Sequence, residues 1–153
     1  PHLINGLFDA HRNHAPVLAI ASHIPQSQVG MEYFQATHPE QLFKECSAYA
    51  ELVSEASQAP CILMSAIQHA WARRDVGVVV LPGDIADAPA EMKNLVHPPS
   101  YTRENVVPEH ESVSLLARML DDHRRITFFC GAGCAGAEDK VVRLRRPPAS
   151  RTA

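Results

Sequence analysis

The chain has 153 residues, of which 46 % are hydrophobic and 20 % are charged, and this composition is ordinary for a globular protein with a sizeable core. The net charge of −3 gives no reason to expect nucleic acid as a partner, and no apolar stretch approaches the roughly 18–20 residues of a membrane-spanning helix. Four cysteines scattered among apolar neighbours fit a reducing cytosol better than a disulfide framework, so we predict a cytoplasmic location.

Helical patterns and short apolar runs alternate over residues 1–88. Helices are predicted over residues 2–13, from Pro39 onward with Leu42, Phe43 and Cys46 inward, and over residues 60–74. Strands are predicted at residues 16–21, 50–53 and 77–82. The first and third runs are continuously apolar, which is typical of strands buried on both faces of a parallel sheet, while residues 50–53 suit a sheet edge. We therefore predict an α/β fold, a three-layer αβα arrangement with right-handed crossovers.

The character of the sequence changes after residue 88. Prolines in a polar, weakly periodic stretch predict a linker over residues 89–108. An amphipathic helix is then expected over residues 109–123 and a buried strand over residues 126–130. The basic run after Lys140 does not resemble the continuation of a helix. Residues 109–153 thus predict the start of a second, Rossmann-like domain.

Both ends of the sequence suggest that the chain is an internal piece of a larger α/β enzyme. A helical pattern that begins at the chain's first residue has no capping residue before it. The second α/β unit, residues 109–153, begins without a further strand to complete it.

Three glycines match a nucleotide-binding pattern. Gly131, Gly133 and Gly136 form G-x-G-x-x-G directly after the predicted strand, where backbone N–H groups can approach a phosphate at a helix N-terminus. The acidic residue expected about 20 positions later would fall in the tail. This segment therefore has two interpretations, a nucleotide-binding site and a glycine-rich turn that binds no ligand.

Other candidate sites are weaker. The nine histidines have no cysteine or carboxylate partners at ligand spacing, and Cys130 and Cys134 lack the C-x-x-C spacing of a zinc site, so we predict no metal ligands. Asp84 follows a strand at a position where α/β ligand sites gather, although Pro-Gly-Asp is also a common plain turn. The long loop before Pro39 carries Phe34 and Gln35 beyond a strand's carboxyl end, which favours a binding role or, alternatively, a core-plugging Phe.

Four segments, taken in order, carry a resemblance to a known family. They are residues 2–10 (HLINGLFDA), 14–20 (HAPVLAI), 33–35 (YFQ) and 78–85 (VVVLPGDI). Over residues 2–137 the chain resembles the pyrimidine-binding domain of thiamine-diphosphate-dependent enzymes, followed by the start of their central domain. Within that family it is most similar to the bacterial pyruvate oxidases, the quinone-linked pyruvate dehydrogenases, and less similar to acetolactate synthases.

The resemblance implies a function and a set of site residues. The family decarboxylates pyruvate on thiamine diphosphate with Mg²⁺ and passes electrons to FAD and then to a quinone. Phe34 and Gln35 match a pair that lines the active site, and His2 matches a histidine that follows a Gly-Pro-Gly turn. The glycines at 131, 133 and 136 match a region that contacts FAD. Subunits of the family pair through the pyrimidine domain, so a homo-oligomeric interface is implied.

Parts of the family pattern are missing from these residues. The activating glutamate would precede residue 1, and the Gly-Asp-Gly motif for Mg²⁺ and the diphosphate does not occur. We therefore expect this chain alone to be inactive and to bind none of the cofactors tightly. The alternatives are a stand-alone dinucleotide-binding module and a non-catalytic remnant that joins a partner subunit.

Overall fold

The computed structural model describes residues 2–89, 106–123 and 125–145, and the chain divides into two units, residues 1–105 and 106–153. The described part of the first unit contains four helices and three strands. The helices are α1 (Ile4–Arg12), α2 (Pro39–Leu42), α3 (Ala59–Arg73) and α4 (Gly83–Ala86). The strands are β1 (Val17–His23), β2 (Tyr49–Leu52) and β3 (Val76–Pro82). No helix within the described ranges is long and apolar enough to cross a membrane.

The three strands form one parallel sheet in the order β1-β3-β2. Val17 of β1 pairs with Val76, and Tyr49 of β2 pairs with Gly77, so β3 is hydrogen-bonded on both sides. All residues of β3 except Leu81 are buried, as its continuous apolar sequence predicts. The predicted parallel α/β class is confirmed.

Two apolar clusters cover the two faces of this sheet. One joins Leu7 of α1 to Ala19, Ala21 and the even-numbered valines of β3, and it also contains Phe43 and Cys46. The other joins Ala66 of α3 to Val79 and Val53. Because side chains alternate along a strand, β3 supplies both clusters, and helices lie on both faces as a three-layer fold requires.

Gly77 allows α3 to lie unusually close to β3. A Cβ at this position would lie 2.3 Å from the backbone oxygen of Ala66, which is itself fully buried. A glycine is therefore required here by the helix–strand contact.

Two predictions for the first unit need correction. Strand β1 is buried on one face only, because Ala19 and Ala21 enter the core while Leu18 and Ile20 are 39 % and 57 % exposed. The helix that begins at Pro39 ends at Leu42 and is followed by a 3₁₀ turn, Lys44–Cys46. The predicted inward residues Phe43 and Cys46 are nevertheless buried, since the tight turn points them at the same face.

The second unit contains α5 (His110–Asp121), a 3₁₀ turn (Ala132–Cys134) and α6 (Glu138–Arg145). The predicted strand at residues 126–130 is wrong, because this segment has no strand structure and Phe129 is fully exposed. The prediction that the helix does not continue after Lys140 is also wrong, because α6 extends to Arg145. Residues 90–105 of the predicted linker and residues 146–153 lie outside the described residues, and the predicted domain boundaries stay a prediction.

Candidate functional site

The carboxyl ends of β1 and β3 lie side by side, and the loop that follows β1 builds a cavity there. His23 pairs with Pro82 at this edge, which is where ligands bind in open parallel sheets. The cavity has a volume of about 510 Å³. Its lining combines the end of β1, the segment before α1, the loop, and α2 with its C-cap: His2, Leu3, Ile20, Ala21, Ser22, Gln35, Thr37, Pro39, Leu42 and Phe43.

Two of the predicted site residues, His2 and Gln35, line this one cavity. They are distant in sequence, and the sheet edge brings them together. Phe34 does not line it, and its side chain is 80 % exposed. Sequence reasoning missed Ser22 and Thr37. Ser22 has a signal that could have found it, because it is a polar residue at the carboxyl end of an apolar strand.

The loop backbone is strained where it enters the cavity. Gln35 has a φ of 61° and Glu32 has a φ of 47°. Both lie in the left-handed region of backbone conformation, which residues other than glycine and asparagine seldom adopt. Such a residue costs on the order of 1–3 kcal/mol and persists only where the surroundings hold it. Strain of this kind clusters at functional sites, which favours Gln35 as a positioned residue.

Asp84 anchors the same loop. Its two carboxylate oxygens accept hydrogen bonds from the backbone N–H of Gln26 at 3.1 and 3.2 Å, and Oδ1 also accepts one from Ile85. The Gln26 side chain donates to the carbonyl oxygen of Ser54 at 2.6 Å. These bonds tie the ends of all three strands together, so Asp84 acts as a structural clamp for the loop.

A second cavity of about 320 Å³ adjoins the first through the shared residue Thr37. Its lining includes His23, Glu32 and His38. His38 Nδ1 lies 3.7 Å from a carboxylate oxygen of Glu40, an exposed and weak contact. Within the described ranges, no three His, Cys, Asp or Glu side chains are grouped so that they could hold a metal ion.

The glycine segment forms a turn directly before α6. Gly136 has a φ of 80°, and its N–H donates to the Glu138 carboxylate at 2.9 Å. This hydrogen bond and that from the residue's own N–H lower the pKa of Glu138. A phosphate bound here would have to displace a carboxylate that already occupies one of the N–H groups. Gly131 and Gly133 have open space around them.

The lining of the larger cavity fits some cofactor groups better than others. Ser22, Gln35 and Thr37 offer neutral donors and acceptors beside apolar side chains, which suits an uncharged ring and a small polar substrate. Among the described residues that line it there is no Lys, Arg, Asp or Glu, so none of them would pair with a diphosphate or bind Mg²⁺. The described residues therefore fit the uncharged end of thiamine diphosphate and not its charged end.

Comparison with known proteins finds relatives that match most of this chain. No protein-family model matches it. An uncharacterised 42.6 kDa protein of Pseudomonas amyloderamosa is 51 % identical over 94 % of the chain and 36 % of its own length. A putative thiamine pyrophosphate-containing protein of Bacillus subtilis is 29 % identical over 92 % of the chain and 25 % of its own length. Pyruvate oxidase of Lactiplantibacillus plantarum is 27 % identical over 95 % of the chain and 24 % of its own length.

The chain spans between about a quarter and just over a third of the length of these curated relatives. The matches extend over 92–95 % of the sequence and therefore include residues of both units. Over most of its length the chain is therefore similar in sequence to a putative thiamine pyrophosphate-containing protein and to a pyruvate oxidase.

Proposed function

We propose that the chain is part of a thiamine-diphosphate-dependent pyruvate oxidase or dehydrogenase, an enzyme that decarboxylates pyruvate oxidatively and passes electrons to FAD and a quinone. Residues 1–88 would be the second half of its pyrimidine-binding domain, and residues 109–153 the start of its central domain. The similarity to a pyruvate oxidase and to a thiamine pyrophosphate-containing protein supports the proposal.

The observation that carries the proposal is the meeting of Gln35 and His2 in one cavity at the carboxyl edge of the sheet. The resemblance assigns both residues to the active site independently of their position in the fold. The left-handed backbone at Gln35 adds support, because the fold tolerates strain there.

The roles of these side chains follow from their chemistry. The Gln35 amide can donate a hydrogen bond to the carboxylate or carbonyl of pyruvate and orient it. The exposed Phe34 ring would form an apolar wall that excludes water once a further part of the enzyme covers it. Thiamine diphosphate, when bound, supplies the carbon nucleophile and the electron sink for decarboxylation.

The charged groups of the cofactor need other ligands. The part of the cavity lining that the structure describes offers no carboxylate for Mg²⁺ and no Lys or Arg for the diphosphate. We therefore expect the 153-residue chain alone to bind thiamine diphosphate, Mg²⁺ and FAD weakly and to reduce no quinone in the presence of pyruvate. Pairing of pyrimidine domains in a homo-oligomer is part of the same proposal.

Titration of the isotope-labelled chain with pyruvate, followed by NMR, tests the site. The side-chain amide signal of Gln35 should shift and saturate only in the millimolar range, since a one-sided site binds weakly, with about −4 kcal/mol at a Kd of 1 mM. Gln35→Ala should abolish the shifts of the surrounding cavity signals. Gln41→Ala is the matched control, because Gln41 is exposed on α2 and does not line the cavity. Equal pyruvate binding by both variants would contradict the proposal.

The main alternative is a stand-alone dinucleotide-binding module that uses Gly131, Gly133 and Gly136. The helix α6 that follows the glycines favours it, while the Glu138 carboxylate on the Gly136 N–H opposes it. Flavin or NAD titration followed by fluorescence would separate the two, since micromolar binding by this chain alone would favour the module. A non-catalytic role in joining a partner subunit is the third possibility, and it predicts assembly with an intact relative without pyruvate binding.

A further inference from the structure

Two cysteines bracket the glycine turn of the second unit. Cys130 and Cys134 are separated by Gly131, Ala132 and Gly133, and both thiols are free. The chain reverses between them in a 3₁₀ turn, in which the N–H of Cys134 donates to the carbonyl of Gly131 at 3.0 Å. This turn brings Gly131 and Cys134 close together, and Cys130 directly precedes it.

Both cysteines lie at this turn, Cys130 directly before it and Cys134 at its last residue. The pKa of the Cys130 thiol is raised, first by partial desolvation from the surrounding chain, then by a hydrogen bond with the Cys134 thiol and by repulsion from that group's charge. Cys130 is also exposed and Cys134 is partly exposed, so a small reagent in solution can reach the pair.

The other two cysteines form no such pair. Cys46 is fully buried beneath α1, and Cys61 is exposed on α3. They provide an internal comparison for any reaction of the thiols, because one is inaccessible and the other is accessible but has no neighbouring cysteine along its helix.

We propose that Cys130 and Cys134 are a redox modification site, at which a low-molecular-weight disulfide such as oxidised glutathione converts the two thiols into one intramolecular disulfide. The glycines between the cysteines permit the closure, since they adopt a wide range of backbone angles. The bond needs a Cα–Cα separation of about 4.4–6.8 Å, which a reversed five-residue segment can supply.

The reaction is thiol–disulfide exchange in two steps. One cysteine loses its proton, and its thiolate attacks the reagent disulfide, forming a mixed disulfide and releasing one reduced reagent thiol. The second cysteine then attacks the protein-bound sulfur and releases the second reagent thiol. The protein loses two protons and two electrons, and the reagent gains them. Excess dithiol reverses both steps.

The closed ring would restrain the glycine turn. Gly131 and Gly133 now have open space around them and no tertiary contact that a Cβ would meet. A covalent link between the residues on either side lowers the number of conformations that this segment can reach. Oxidation should therefore slow amide hydrogen exchange over residues 131–137, whether or not the segment binds a nucleotide.

Peptide mass spectrometry tests the proposal on the whole chain. After exposure to oxidised glutathione and blocking of remaining thiols, trypsin releases residues 126–140, which contain Cys130 and Cys134 and no other cysteine. We expect this peptide to be two hydrogen masses lighter, without glutathione, and to regain its mass after dithiothreitol. Residues 45–73, which contain Cys46 and Cys61, should instead carry one glutathione and no internal bond.

Single variants provide the controls. Cys130→Ser and Cys134→Ser should each leave one glutathione on the 126–140 peptide, whereas Cys61→Ser should leave the disulfide unchanged. A peptide that carries two glutathiones, or that is unchanged while Cys61 is modified, would overturn the proposal. Both results are independent of flavin or pyruvate binding, so they do not depend on the proposed function.

Discussion

Gly77→Ala should destabilise the first unit, because the new methyl group has no space between α3 and β3. The added Cβ would lie 2.3 Å from the oxygen, 2.9 Å from the carbon and 3.2 Å from the Cα of Ala66. All three are backbone atoms, so no side-chain rotation can relieve the contact. The closest of them is about 1 Å short of ordinary van der Waals distance.

The size of the effect follows from what must move. Helix α3 would have to lift from β3, which is held by neighbouring strands on both sides, and Ala66 lies in the fully buried cluster with Val53 and Val79. Overpacking of a buried site costs about 1–3 kcal/mol. We expect a loss near the upper end, about 3 kcal/mol in the free energy of unfolding, offset by less than about 1 kcal/mol from the lower entropy of the unfolded chain.

Urea denaturation followed by circular dichroism measures this loss, and Gly6→Ala is the matched control. Gly6 lies within α1, is exposed, and has no atom within 4 Å of a Cβ placed there. Alanine should therefore stabilise this helix by about 0.5–1 kcal/mol. The two substitutions are chemically identical and have opposite expected signs. A Gly77→Ala chain as stable as the original would refute the close packing of α3 on β3.

Three further predictions concern polar and buried groups of the first unit. His11 Nδ1 lies 2.7 Å from Asp75 Oδ1, which also accepts a hydrogen bond from the backbone N–H of Val76. Asp75→Ala should therefore lower the free energy of unfolding by about 1–3 kcal/mol. A double-mutant cycle with His11→Ala should show that the two side chains are energetically coupled. Asp84→Ala should release the loop after β1 and speed amide hydrogen exchange at Gln26, while unchanged exchange would contradict its role as a clamp. Burial raises the pKa of the Cys46 thiol, so the unfolded state loses this proton at a lower pH than the folded state does. The free energy of unfolding should therefore decrease as the pH rises above about 8.5. In urea titrations at increasing pH, Cys46→Ala should make the free energy of unfolding less dependent on pH.

Local sequence signals predicted the elements of the sheet well. The unbroken apolar run of β3 and the helical period of α3 each have one favourable structure, because a strand buried on both faces and a helix with one buried face leave different patterns. The helix α1 and the edge strand β2 were predicted within one or two residues for the same reason. The predicted strand at residues 126–130 failed, since its apolar residues form no sheet in the described structure and are exposed.

The candidate site was only partly predictable. His2 and Gln35 were singled out by resemblance, but their shared cavity depends on where β1 ends relative to α1. No local pattern predicts that a glutamine will adopt a positive φ, because its intrinsic preference opposes that conformation. The bonds from Asp84 to Gln26 likewise join strand ends that are far apart in sequence.

The parallel α/β class, the positions of most helices and strands of the first unit, and the resemblance to thiamine-diphosphate-dependent enzymes can all be inferred from the amino-acid sequence. These properties depend on the order and periodicity of residues. The tertiary structure alone decided that only one face of β1 is buried, that α3 lies in contact with Gly77, and that His2 meets Gln35 while Phe34 faces outward. Each of these depends on contacts between segments distant in the chain, which local patterns do not encode.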